Sequence, residues 1–200
     1  MNRAELKAKA KEQIKGKIGI LFLITLVIGL VSSAATAVLS LIPVVGSLAA
    51  AIIVTPAFSL SIYRVYLSLT VGATPEVKDA FSGFDDFFAA FKVTLLVGIY
   101  TFLWSLLFVI PGIVKGYSYS MAMYILAENK GKSARECIEE SKKMTDGHKM
   151  ELFVLSLSFI GWMMLTGITF GIASIWVIPY MNATMTNFYN KVKTGVTVEG

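Results

Sequence analysis

Six long apolar runs fill most of this 200-residue chain, at 18–42, 47–70, 93–110, 113–127, 152–170 and 172–190. A helix needs about 20 residues to cross the hydrocarbon core of a bilayer. The first, second, fifth and sixth runs reach that length. The third and fourth are shorter and are broken only by Pro111-Gly112, so they read as a compact hairpin. Read as one kinked span instead, they would leave five spans and an outside C-terminus. Only 16% of the residues are charged, against roughly 25% in an average soluble domain. A water-soluble core of this length cannot bury so much apolar surface, and neither a disordered chain nor a disulfide scaffold has this composition. The expectation is an all-α, polytopic membrane bundle forming a single domain over 1–200. It has six transmembrane helices arranged as three hairpins, with amphipathic helices on the cytoplasmic side.

The six spans group into units of about 1–70, 71–128 and 129–193, followed by a short tail at 194–200. Each unit opens with a charged segment (3–16, 75–91 or 133–147) and continues into two spans joined near Pro43–Gly46, Pro111–Gly112 or Gly171. Each second helix carries a proline: Pro56, Pro111 and Pro179. This is a weak internal repeat, for which prolines placed by chance are the alternative.

Orientation follows from Lys and Arg. Six lie between Arg3 and Lys17, and six lie in the connection 128–151, whereas the turns at 43–46 and near Gly171 have none. Both termini and both long connections are therefore expected on the cytoplasmic side. The basic arm and Ala35-Thr36-Ala37 imitate a cleavable leader, but the apolar run continues to Ile42 and more spans follow, so an uncleaved first span is expected. The net charge of +5 reflects this orientation pattern. The aromatic residues sit mostly inside apolar runs, apart from Lys and Arg, so no nucleic-acid partner is expected.

Segment 75–91 places Val77, Phe81, Phe84, Phe88 and Phe91 at helical spacing, with Thr74 as a cap and Pro75 at the first helical position. It reads as a helix packed on its own bundle, or as one lying in the headgroup layer. Segment 133–147 opens on the capping box Ser133-Ala134-Arg135-Glu136. Its stripe of Ala134, Cys137, Ile138, Ser141 and Met144 is the expected packing face.

Candidate contacts with a ligand or lipid are Arg64, Lys115, Tyr117, Tyr119, Asn182 and Asn187, because polar groups inside apolar spans are costly and often functional. For Arg64 the plain alternative is snorkelling to the inner interface. For the asparagines it is hydrogen bonding between helices. Gly112-x-x-x-Gly116 and Gly167-x-x-x-Gly171 allow close helix approach, though both border turns. No catalytic, metal or cofactor residue is expected. His148 is the only histidine, and neither the nucleophile-elbow nor the phosphate-loop motif occurs.

Ile110-Pro111-Gly112-Ile113-Val114-Lys115-Gly116-Tyr117-Ser118-Tyr119-Ser120, with Tyr124-Ile125-Leu126-Ala127-Glu128-Asn129, resembles a bacterial integral membrane family known as domain of unknown function 975. Ser141-Lys142-Lys143-Met144, Gly147-His148-Lys149, Leu157-Ser158-Phe159-Ile160-Gly161-Trp162 and Trp176-Val177-Ile178-Pro179-Tyr180 extend the resemblance over roughly 96–190. There is a looser likeness to the membrane domain of glycerophosphodiester phosphodiesterases. The resemblance implies a multi-span protein of the bacterial cytoplasmic membrane and supplies no catalytic residues. The leading expectation is a non-enzymatic module that binds membrane lipids or an amphiphile and supports envelope homeostasis or export. A small transporter or channel component is the alternative, and an immunity-like partner of another membrane protein is a third.

Overall fold

The computed structural model describes residues 3–39 and 45–198, and every regular element in them is helical. In chain order these are α1 (Arg3–Ile14), α2 (Ile18–Leu39), α3 (Val45–Thr70), a 3₁₀ segment (Val77–Asp86), α4 (Phe87–Leu107), α5 (Val109–Tyr119), α6 (Ala122–Glu128), α7 (Ala134–Thr145), α8 (Lys149–Leu157), α9 (Ile160–Ile168) and α10 (Ser174–Val198). Three stretches are long and apolar enough to cross a membrane: Ile18–Leu39, Val77–Leu106 and Lys149–Ile168. Helices α3 and α10 are also long, at 26 and 25 residues, and each holds a proline inside it.

Burial is uneven along these helices. In α2 the buried residues are Leu21, Ile24 and Ile28, all in its first half. In α4 they are Ala90 and Val93, while Phe102, Leu103 and Leu106 are exposed. Helix α9 buries nothing. The core is therefore concentrated where α1, the 3₁₀ segment and α7 pack, and the opposite ends present bare apolar side chains. The turn between α9 and α10 shows this most clearly. Phe170 is 98% exposed there and shares a left-handed backbone with Gly171 (φ 49° and 89°).

Helix α4 and the α5–α6 arm run back along one another. The ring of Tyr100 lies 6.0 Å from that of Tyr119, and Thr94 lies 4.0 Å from the Met123 sulfur. The reversal is at Phe108, which is extended (φ −160°, ψ 144°), and not at Pro111-Gly112. Pro111 instead falls in the first turn of α5, where its missing N–H would have had no helical partner. Gly112 marks the closest approach of the two arms: a Cβ there would lie 2.8 Å from Ser105 Cα and nearer still to its hydroxyl. Of the two Gly-x-x-x-Gly matches, the first thus serves contact within this pair of arms. A Cβ on Gly167 or Gly171 would meet nothing within 4 Å. The turn expected around Pro43 lies outside the described residues.

The 75–91 segment differs from its sequence reading. Capping is by Glu76, whose amide donates to Asp79 Oδ2 at 2.8 Å, and not by Thr74. The helix is 3₁₀ up to Asp86 and α only from Phe87. Three residues per turn stack Val77, Ala80, Gly83 and Asp86 in one row. Ala80 and Gly83 in that row are buried. The phenylalanine face turns outward, leaving Phe81, Phe84 and Phe88 exposed. Phe81 and Phe84 still meet Phe58 edge-on, at 6.0 and 5.1 Å between centroids.

Candidate functional site

Each charged segment docks on an irregular point of an apolar helix. In α3, five residues beyond Pro56, the Ser61 hydroxyl donates to the Ala57 carbonyl (3.1 Å) and accepts from the Gly83 amide of the 3₁₀ segment (2.8 Å). At the break between α5 and α6, Ser141 of α7 donates to the Ser118 carbonyl (2.8 Å) and accepts from the Met121 amide (3.2 Å). At the break between α8 and α9, Lys7 of α1 reaches the Ser158 carbonyl (3.4 Å) and lies 4.4 Å over the Phe159 ring. Backbone groups freed inside an apolar layer are costly unless paired; α7 and α1 supply such partners at the two breaks, whereas at α3 it is Ser61 that pairs the amide of the 3₁₀ segment. Burial among apolar neighbours, then the nearby Arg3 and Lys11 charges, lower the Lys7 pKa from its usual value.

The α7 face is the one its spacing announced. Ala134, Cys137, Ile138, Ser141 and Met144 are all buried. Ser133 and Glu136 close the capping box through an amide–hydroxyl bond of 3.3 Å and an amide–carboxylate bond of 2.8 Å. Burial pushes the Cys137 thiol up to about 11, which keeps it protonated and unreactive.

The six side chains singled out from sequence go to separate contacts. Arg64 forms an ion pair with Asp86 and also donates to the Ser82 carbonyl. Lys115 lies 4.7 Å over the Trp104 ring. Tyr117 meets Phe153 edge-on at 5.9 Å. Tyr119 is buried beside Tyr100, with Lys142 of α7 5.6 Å above its ring. Asn182 of α10 faces Tyr66 of α3. Asn187 donates to Gln13 of α1 at 2.8 Å and so helps to fasten α1 to α10.

Sequence reasoning missed a second cluster. Tyr63, Tyr124 and Tyr189 pack in series, with ring centroids 4.3 and 5.1 Å apart. The Tyr189 hydroxyl donates to Glu128 Oε2 at 2.7 Å, and Lys193 pairs with the same oxygen at 2.7 Å. Burial opposes ionisation of Glu128. The hydrogen bonds from Lys193 and Tyr189 outweigh it and, with the Lys193 and Lys132 charges, hold the carboxyl below its usual range. The aromatic spacing was visible, but tyrosines in apolar runs look like any other core residue until three helices bring them together.

Two of the concave features are apolar grooves between helices. One, of about 370 Å³, lies between α3 and α4 and includes Ile52, Pro56, Thr94, Gly98 and Phe102 in its lining. Gly98 leaves its floor open, since a Cβ there would meet nothing within 4 Å. A second, of about 320 Å³, lies between α5 and α8. Ile110, Ile113, Val114, Tyr117, Met150 and Phe153 form its walls, with Lys149 among them. Tyr117 is the only one of the six sequence candidates to line either groove. Among the described residues, no group of three His, Cys, Asp or Glu side chains is placed to hold a metal ion.

No curated protein and no solved structure matches the chain, so the looser likeness to glycerophosphodiester phosphodiesterases is not shown. A family model described as "Protein of unknown function (DUF975)" matches residues 1–115 and 107–195, and the chain belongs to that family.

Proposed function

We propose that this chain is a non-enzymatic module of the bacterial cytoplasmic membrane that holds lipid, or an amphiphile of similar shape, against its helices. The groove between α3 and α4 carries this reading. It is walled by Ile52, Phe91, Leu95, Ile99 and Phe102, and its one hydroxyl-bearing lining residue is Thr94. A mostly apolar channel of that size along a span suits a hydrocarbon chain. Native mass spectrometry of the gently extracted protein tests this. The wild type is expected to retain phospholipid. Gly98→Leu, which fills open space, is expected to lose most of it while melting at a similar temperature. Equal retention by the two proteins would overturn the reading.

The finer topology belongs to the same proposal. Six spans would be formed by α2, α3, α4, the α5–α6 arm, the α8–α9 arm and α10, with both termini and the charged segments in the cytoplasm. The Lys and Arg distribution supports it, as does the opposite placement of the buried core and the bare Phe170 turn. A Cys137→Ala background carrying one added cysteine at a time provides the check. A membrane-impermeant maleimide added to intact spheroplasts should label Phe170→Cys. It should reach Lys15→Cys and Lys130→Cys only after permeabilisation. Labelling of Lys15→Cys in intact spheroplasts would reverse the topology.

A further inference from the structure

A third groove, of about 340 Å³, opens between α4 and the start of α7. Its lining is Lys92, Leu95, Leu96, Ser133, Ala134 and Arg135. Two cations from different elements thus share one concavity with two leucines. Several other basic side chains at this end have a carboxylate partner: Lys132 pairs with Glu140, Lys149 with Asp146, Lys191 with Glu5 and Lys193 with Glu128. Lys92 and Arg135 are exposed and have no ion pair among the described residues. The α7 terminus does not itself supply the site, because Glu136 already caps it. Lys92 stands directly before the apolar run that begins at Val93, at the depth where a phosphate would lie if α4 spans. Leu95 lines both this groove and the apolar groove between α3 and α4.

We propose that Lys92 and Arg135 bind the phosphate of an anionic phospholipid whose acyl chains follow Leu95 and Leu96 along α4. Charge complementarity selects the headgroup. The leucine floor selects a lipid over a free anion, since a soluble phosphate gains nothing from an apolar wall. This rests on the lipid-holding reading above and adds a headgroup preference to it.

The test titrates the full chain, purified in a neutral maltoside detergent, with dioleoylphosphatidylglycerol or dioleoylphosphatidylcholine, and reads bound lipid by native mass spectrometry. The wild type should prefer the glycerol lipid. Lys92→Gln with Arg135→Gln should weaken its binding by roughly five- to thirtyfold, the scale set by two interfacial cations, and leave choline-lipid binding unchanged. Lys130→Gln with Lys143→Gln removes the same charge from exposed positions outside the groove and should have little effect. The proposal is overturned if the preference survives the first pair, if both pairs reduce it equally, or if millimolar glycerol phosphate displaces the lipid. Retention of the choline lipid with no preference defeats only the headgroup site. Retention of neither lipid by the wild type defeats the lipid-holding reading as well.

Discussion

Gly83→Ala should be among the most destabilising single-methyl changes in this protein, costing about 3 kcal/mol or more, the upper range for forcing an atom into a packed interface. A Cβ at this position would sit 2.8 Å from the Ser61 amide nitrogen and 2.9 Å from its hydroxyl, and closer still to the Ala57 carbonyl oxygen. Two of these three obstacles are backbone atoms of α3, which no rotamer change can move aside. The added methyl would also separate the Gly83 amide from the Ser61 hydroxyl. Both groups are buried, and an unmade buried hydrogen bond costs roughly 1–3 kcal/mol. For a chain of this size, 3 kcal/mol corresponds to a fall of about 6–12 °C in melting temperature. Gly29→Ala is the matched control, because its Cβ would meet open space inside α2 and alanine favours a helix over glycine. A Gly83→Ala protein that melts within 2 °C of wild type would mean that the 3₁₀ segment does not sit in close contact on α3.

The reason for Gly83 shows what the sequence could and could not reveal. Apolar run length located α2, α3, α8–α9 and α10 because each must hide or immerse about 20 residues, and that demand leaves a contiguous mark. The α7 cap and stripe were equally legible, since the capping box and the 3.6-residue period act within one short segment. Segment 75–91 misled for a definite reason. The phenylalanine spacing fits an α-helix, but the chain packs its small residues on α3 with a period of 3.0. A glycine between Phe81-Ser82 and Phe84 was the available hint, because glycine inside a helical pattern costs stability unless close approach requires it. The partners of Ser61, Ser141 and Lys7 were not legible. Each contact joins residues 20 to 151 positions apart, and nothing in local spacing records which backbone group a distant side chain will meet. The same limit applied to Asn187, whose partner Gln13 lies at the other end of the chain.

Asp86→Ala is the second change expected to have a large effect, and it decides what Arg64 is for. The Arg64 side chain is 13% exposed and that of Asp86 25%, so both charges are largely withdrawn from solvent. A guanidinium cannot shed its charge to escape burial. Removing Asp86 leaves Arg64 with the Ser82 carbonyl as its remaining partner and should cost about 3–5 kcal/mol, as breaking one side of a buried pair does. Arg64→Met should cost less, because the more exposed Asp86 carboxylate can hydrate. The double variant should recover part of the Asp86→Ala loss, since the stranded charge is then gone. A double-mutant cycle on thermal stability in detergent reads this directly, and a coupling below about 0.5 kcal/mol, the usual margin for independent sites, would contradict a structural pair. Arg64 would then be free to meet a lipid or substrate. A strong coupling instead assigns it to fastening the 3₁₀ segment on α3. In that arrangement Gly83 allows the approach, Ser61 pairs the backbone, and Arg64 with Asp86 closes the far end of the same row.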